Sequence, residues 1–138
     1  MNPNKTFSTN IEVRFRDLDA IGHANNAVFF TYFEQGRNAF FYEVFQISDP
    51  FDLPFILAHI SCDYLKPVKY ASKVSLRIWV GEIRNKSFVF IYKLVDRSDE
   101  SIVYAKGESV QVAFDHRQNK TVVVSENLQI RLSEYQHN

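Results

Sequence analysis

Between Ala27 and about Phe45 the chain reads A-V-F-F-T-Y-F-E-Q-G-R-N-A-F-F-Y-E-V-F. Phe29, Phe33, Gly36, Phe40 and Val44 recur at threes and fours, the spacing of one helix face. Val28, Phe30 and Phe41 widen that stripe, with Thr31, Glu34, Gln35, Asn38 and Glu43 among the polar residues that interrupt it. A helix apolar on most sides must be buried on most sides. In a chain of 138 residues, the element able to cover it is a strongly curved sheet, which the remaining sequence has to supply.

Strand patterns are there to do so. Ile11, Val13 and Phe15 alternate with Glu12, Arg14 and Arg16, predicting a half-buried strand over Asn10 to Arg16. After the turn-rich I-S-D-P-F-D-L-P, strands are expected over Phe55 to Leu65, Lys73 to Ile83, Ser87 to Val95 and Ser101 to Phe114, all rich in branched and aromatic residues. The short links R-N-K and D-R-S-D-E read as hairpins, so these strands form an antiparallel meander. Thr121 to Val124 would prolong the last strand, Glu126 to Tyr135 would form a short helix, and His137 and Asn138 would be frayed. The expected fold is α+β: a curved antiparallel sheet of about five strands around one long helix. It forms a single domain over 1–138, with its core at about 10–125 and a terminal helix at about 126–135. Such a sheet leaves an edge, and part of the aromatic surface of Phe29, Phe30, Phe33, Phe40 and Phe41, uncovered. A homodimer is therefore expected, with pairing of dimers into a tetramer left open.

Sixteen basic and sixteen acidic residues cancel. The overall field therefore gives no reason to expect nucleic acid or an anionic membrane as partner. No apolar run is long enough to span a bilayer. The single cysteine, Cys62, cannot form an internal disulfide, and M-N-P-N-K-T-F-S lacks the apolar core of a signal peptide, which together imply a cytoplasmic protein. Cys62 sits in an apolar alternating segment and reads as a small core side chain.

Chemistry concentrates just before the long helix, in D-L-D-A-I-G-H-A-N-N, residues 17–26. A helix start leaves backbone N–H groups without partners and carries partial positive charge, so it can hold an anion or polarise a carbonyl. A carboxylate beside it would have an electrophile to work on. The structural alternative is that Asp17 and Asp19 shape a turn, Gly22 lets the chain reverse and Asn25 or Asn26 caps the helix. Within this stretch Asp17 is read as a turn residue, and His23 as a candidate for orienting water. Glu34 reads as solvent-facing or interface-paired, and His59 as a core histidine. No spacing of His, Cys and carboxylates suggests a zinc site, no G-x-S-x-G elbow is present, and no cofactor is expected.

The run R-F-R-D-L-D-A-I-G-H-A-N-N-A-V-F-F-T-Y-F-E-Q-G-R resembles the opening signature of the 4-hydroxybenzoyl-CoA thioesterase family of hot-dog folds, with further similarity in D-Y-L-K-P-V-K-Y and I-R-N-K-S-F-V-F. The resemblance implies a dimer of curved sheets with an acyl-CoA site at the interface, and thioester hydrolysis without metal. It implies that Asp19 is the essential carboxylate and that the Asn26 N–H holds the thioester carbonyl; beside them His23 is a catalytic candidate that could orient water or the acyl carbonyl, and Asn25 a substrate-binding candidate. Arg84, Lys86 and Ser87 would meet the phosphate end of coenzyme A. Asp19 would act as nucleophile or as general base. The rival readings are a non-catalytic acyl-CoA or acyl-carrier-protein binding module and a hot-dog dehydratase.

Overall fold

The structure is a computed structural model, described here for residues 4–137. In chain order the elements are β1 (Phe7–Ile11), α1 (Val28–Val44), β2 (Phe55–Tyr64), β3 (Val74–Ile83), β4 (Ser87–Asp96), β5 (Val103–Asp115), the two-residue β6 (Lys120–Thr121) and α2 (Glu126–Ser133). The long strands pair antiparallel in the order β1-β3-β4-β5-β2, and β6 adds to the end of β5. The sheet curls around α1, the hot-dog arrangement expected from the sequence.

Strand alternation sets the core. Leu76, Ile78 and Val80 on β3, with Phe88, Phe90, Tyr92 and Leu94 on β4, are fully buried on the concave face. Against them α1 packs Phe29, Phe33, Phe40 and Phe41, with Phe40 edge-on to Phe7 and Phe90, and Phe33 stacked on Tyr92 at 4.4 Å. Gly36 brings α1 close to β3: a Cβ there would lie 2.3 Å from Leu76 Cδ2. The C-terminal end of α1 is held by α2, where the Arg131 guanidinium donates to the Val44 carbonyl.

Several sequence expectations need correcting. The first strand is Phe7–Ile11, and Phe15–Asp17 is a short 3₁₀ turn, so of the strand expected over Asn10 to Arg16 only Asn10 and Ile11 are in β1. Arg97 explains the stop, its guanidinium donating to the carbonyls of Ile11 and Val74 where β1 and β3 end. Only β3, β4 and β5 form a meander. β2 crosses to the far edge and pairs with β5 alone. Residues 120–121 fold back onto β5 as a separate strand. His137 is not frayed: its ring stacks on Trp79 and its backbone N–H donates to the Val80 carbonyl. Asn138 lies outside the described residues.

The sheet also covers more of α1 than expected. Only Phe30 among the five helix phenylalanines remains partly exposed. Part of the uncovered apolar surface is on β2, where Ile56, Leu57 and Tyr64 are 46%, 39% and 42% exposed along a strand with one unpaired edge; Phe15, Ile21, Tyr42 and Phe51 are exposed elsewhere. Because Leu57 opposes Gln111, Ile60 opposes Ser109, Cys62 opposes Gly107 and Tyr64 opposes Ala105, these four side chains share the concave face, whereas Ile56 and the exposed His59 point to the convex side. His59 is therefore not a core histidine. Among the described residues no helix is long and apolar enough to cross a membrane.

Candidate functional site

The two aspartates diverge because the chain between them turns. Asp17 closes the 3₁₀ turn and is buried, accepting from the Arg14 N–H at 2.9 Å, the Arg14 guanidinium at 3.3 Å and the Tyr32 phenol at 2.9 Å. Burial first, and Asp17 second, push the Tyr32 phenol well above its ordinary range, so it stays a donor. Asp17 is thus a structural acceptor that ties the turn to the first residues of α1.

Asp19 lies at the surface. Its Oδ1 accepts from the N–H groups of Ile21 and His23 at 3.0 and 3.1 Å, and its own N–H donates to the His23 carbonyl at 2.8 Å. Gly22, at φ +81°, closes this tight turn. Oδ2 has no partner among the described residues. The turn is strapped to the loop after β2, since the Ala24 N–H donates to the Val68 carbonyl and His23 bridges to Lys69.

Helix α1 begins immediately after. Asn25 accepts twice: its Oδ1 from the Ala27 N–H at 2.9 Å and its carbonyl from the Val28 N–H at 2.9 Å. Asn25 itself donates to the Asp17 carbonyl. Phe29 N–H reaches the Asn26 carbonyl, and Phe30 N–H that of Ala27. Among the described residues, the Asn26 N–H alone in this run from Asn25 to Phe30 has no acceptor. The Asn26 carbonyl also accepts from the Tyr64 phenol at 2.9 Å, which fixes that peptide against the end of β2.

Asp19, His23 and Asn26 line one cleft of about 320 Å³, together with Phe29, Tyr64 and Lys66. The cleft combines an exposed carboxylate, an unpaired N–H at a helix start, an aromatic wall and a cation. Another cleft, of about 280 Å³ beside Asn38 and Tyr42, has only Asp49 as a carboxylate, and Asp49 is committed to the Phe51 N–H and Arg117. Among the described residues no three His, Cys, Asp or Glu side chains gather closely enough to hold a metal ion.

Arg84, Lys86 and Ser87 are not brought to this cleft within one chain. They form the β3–β4 hairpin, where Ser87 opposes Val112 and Val112 opposes Ile56, whereas Tyr64 opposes Ala105 at the other end of β5. The two ends of the sheet are about 25 Å apart at the rise of a strand. Arg84 is paired with Glu82 at 2.9 Å, and Lys86 is exposed. Sequence reasoning missed Tyr64 as a group that holds the helix start, although the D-Y-L-K-P segment containing it carried a resemblance. It also missed Arg37, which counts as an ordinary surface arginine until the fold shows it 5% exposed.

A model of the thioesterase-like superfamily matches residues 13–132. The uncharacterized protein YsmA of Bacillus subtilis (strain 168) is 28% identical over 87 residues, a stretch that spans 63% of this chain and 59% of that protein. A predicted thioesterase from Bacillus stearothermophilus superposes with a TM-score of 0.86 at 23% identity, over 96% of this chain and 98% of that one. A thioesterase from Thermus thermophilus, solved with coenzyme A and Zn, superposes with a TM-score of 0.80 at 26% identity, over 93% of each chain.

Proposed function

The chain belongs to the thioesterase-like superfamily, and from that premise we propose that it hydrolyses an acyl-CoA thioester to the free acid and coenzyme A. The observation that carries this reading is the unpaired Asn26 N–H at the start of α1, in the same cleft as the Asp19 carboxylate. A thioester carbonyl seated on that N–H gains a donor at the oxygen where negative charge develops, an effect worth on the order of 3 kcal/mol. The helix dipole adds to it.

Asp19 Oδ2 provides the second requirement. It either attacks the carbonyl carbon, expelling the coenzyme A thiolate and leaving an anhydride that water opens, or removes a proton from the water that attacks directly. Both routes consume one water and release acid and thiol. Oδ1, held by Ile21 and His23, fixes the carboxylate while Oδ2 stays available. In this reading Asn25 supports the helix start through Ala27, and the His23 ring sits beside the acyl carbonyl. The 4-hydroxybenzoyl-CoA thioesterase type is the subgroup whose D-x-D signature the chain resembles.

The proposed working unit is a homodimer joined along the free edge of β2. Two such edges related by a two-fold axis pair antiparallel, which reverses the strands and carries one protomer's β3–β4 hairpin toward the Asp19 end of its partner. Arg84 and Lys86 would then meet the coenzyme A phosphates across the interface, with Ser87 beside them, although they lie far from Asp19 in their own chain. A panel of short, medium, long and aromatic acyl-CoAs, with thiol release followed by a chromogenic reagent, tests the activity. Release from at least one class is expected, and no release from any class rejects it.

A further inference from the structure

One group of buried polar residues lies outside the cleft at Asp19. On the concave face, amid phenylalanine and leucine, Tyr92, Ser109 and Gln111 are fully buried, and Arg37 on α1 is 5% exposed above them. They form a single relay. The Arg37 Nη1–H donates to the Tyr92 oxygen at 3.1 Å, Tyr92 bonds Ser109 Oγ, Ser109 donates to Gln111 Oε1, and Gln111 Nε2 donates to the Phe88 carbonyl at 3.1 Å. Every member beyond Arg37 is satisfied within the relay. Arg37 is not: among the described residues no carboxylate lies within 4 Å of it, and its other N–H donors have no side-chain or carbonyl partner. No fully buried side-chain nitrogen in the described residues lacks a partner, so these remaining donors are the ones that reach the surface.

The side of α1 that bears Arg37 faces β2. Phe30, Arg37 and Phe41 fall on one helical stripe, and Phe41 stacks on Phe55 of β2 at 5.3 Å. Below that stripe run the concave-face residues of β2: Tyr64, Cys62, Ile60 and Leu57. Tyr64 bonds Asn26, and Ile60 opposes Ser109 of the relay, so a line of partly exposed concave-face side chains of β2 runs from the helix start to the level of the relay that holds Arg37. Its length is about 13 Å by the strand rise from Tyr64 to Ile60. The helix rise from Asn26 to Arg37 is about 16 Å, and an arginine side chain leans back toward the N-terminus, so the two measures agree.

A buried cation without a counter-ion is costly, and truncating it to a hydrocarbon is the usual remedy in an apolar core. Here the cation is held in place by a relay, with its unpartnered donors reaching the surface. Building on the thioesterase reading, we propose that Arg37 is a specificity-determining residue, which selects acyl groups of medium length that end in a carboxylate. The thioester sits at Asn26, the chain follows Phe30, Cys62 and Ile60, and the distal carboxylate accepts from the free edge of the guanidinium. The relay through Tyr92, Ser109 and Gln111 keeps Arg37 from swinging into solvent.

The test compares kcat/KM for octanoyl-CoA and for suberoyl-CoA, the same chain ended by a carboxylate, in the wild type, Arg37→Met and Arg37→Lys. The wild type should favour suberoyl-CoA, and Arg37→Met should reduce that ratio about tenfold or more, as loss of a charged hydrogen bond requires. Arg37→Lys should recover part of the ratio, which a purely structural role would not produce. If Arg37→Met fails to fold, the wild-type ratio and the Arg37→Lys shift still decide. A wild type that hydrolyses octanoyl-CoA in preference overturns the inference while leaving the thioesterase reading intact. If neither ester is hydrolysed while another acyl-CoA of the panel is, the inference is overturned and the thioesterase reading stands; if no member of the panel is hydrolysed, that reading is lost, and calorimetric affinities for the two intact esters decide the role of Arg37 alone. Should Glu34→Gln destabilise the dimer as much as Arg37→Met while the substrate ratio stays constant, the counter-ion is a glutamate of the protein and the inference is overturned.

Discussion

The Tyr64 phenol donates to the Asn26 carbonyl across 2.9 Å, joining the last residue of β2 to the peptide that opens α1. The same Asn26 residue presents the unpaired N–H. A strand end therefore sets the orientation of the proposed carbonyl-binding donor. Tyr64→Phe keeps the ring, and its edge-on contact with Phe29 at 5.0 Å, but removes that bond. The expected stability loss is about 1 kcal/mol or less, because the phenol is partly exposed. The turnover number should fall several-fold with little change in KM, measured by thiol release alongside thermal melting.

Gly107 and Gly36 are both tightly packed, with different consequences. A Cβ on Gly107 would lie 2.6 Å from the Ser61 carbonyl oxygen and 2.6 Å from Phe33 Cε2. The first neighbour is backbone in a paired strand and cannot move aside. A Cβ on Gly36 would meet the side-chain ends of Leu76 and Ile78, and alanine there gains about 1 kcal/mol of helix propensity. Gly107→Ala should cost about 3 kcal/mol and Gly36→Ala about 1 kcal/mol or less in denaturant titrations.

How far the fold was legible follows from these residues. The aromatic stripe of α1 has the period of a helix, and its breadth demanded a wrapping sheet, so the architecture could be read directly. Ile11, Val13 and Phe15 misled because alternation was present without pairing. Phe15 is 78% exposed beside Tyr70, and the strand had already ended at Ile11, where Arg97 takes its carbonyl. The strand order was hidden because local spacing reports hairpins and carries no signal for the crossing of β2 to the far edge. In the site, the D-x-D element drew attention to Asp19, which lines the candidate cleft, but Asp17 turns inward, where it accepts from Tyr32, fifteen residues further along. Arg37 shares the helical stripe of Phe30 and Phe41, so its face was legible, but its partner Tyr92 lies 55 residues further along and only the fold brings the two together.

Cys62 gives a pH-dependent prediction. Desolvation on the concave face of β2 pushes its thiol up from 9.0 to about 11, so the fold favours the neutral form. With the folded value above the unfolded one, that contribution to stability is whole below pH 9 and is lost as the pH rises toward 11. Iodoacetamide should alkylate the folded protein at pH 8 about tenfold or more slowly than the unfolded chain. Cys62→Ser should flatten part of the fall in denaturation midpoint between pH 9 and pH 11. Equal alkylation rates in the two states would contradict the packing assigned to β2.

The proposed shared site predicts complementation. Asp19→Asn and the double variant Arg84→Ala, Lys86→Ala should each be nearly inactive alone. Random re-pairing makes half the dimers mixed, and one of the two sites in each mixed dimer then has all its residues intact. The mixture should recover about a quarter of the wild-type rate. No recovery, or an active monomer by light scattering, would show that the site is complete within one chain.

The division of labour between the two aspartates is the central claim, and one paired measurement reaches it most directly: single-turnover cleavage of the best acyl-CoA substrate by Asp19→Asn and Asp17→Asn, with unfolding free energy determined on the same samples. Asp19→Asn retains an oxygen for the Ile21 and His23 N–H groups, so its stability should stay within about 1 kcal/mol of wild type while cleavage slows about a hundredfold or more. Asp17→Asn disturbs the bonds to Arg14 and Tyr32 and should lose about 2 kcal/mol, with cleavage by the folded fraction reduced far less. An Asp19→Asn protein that cleaves the thioester at the wild-type rate would contradict the account.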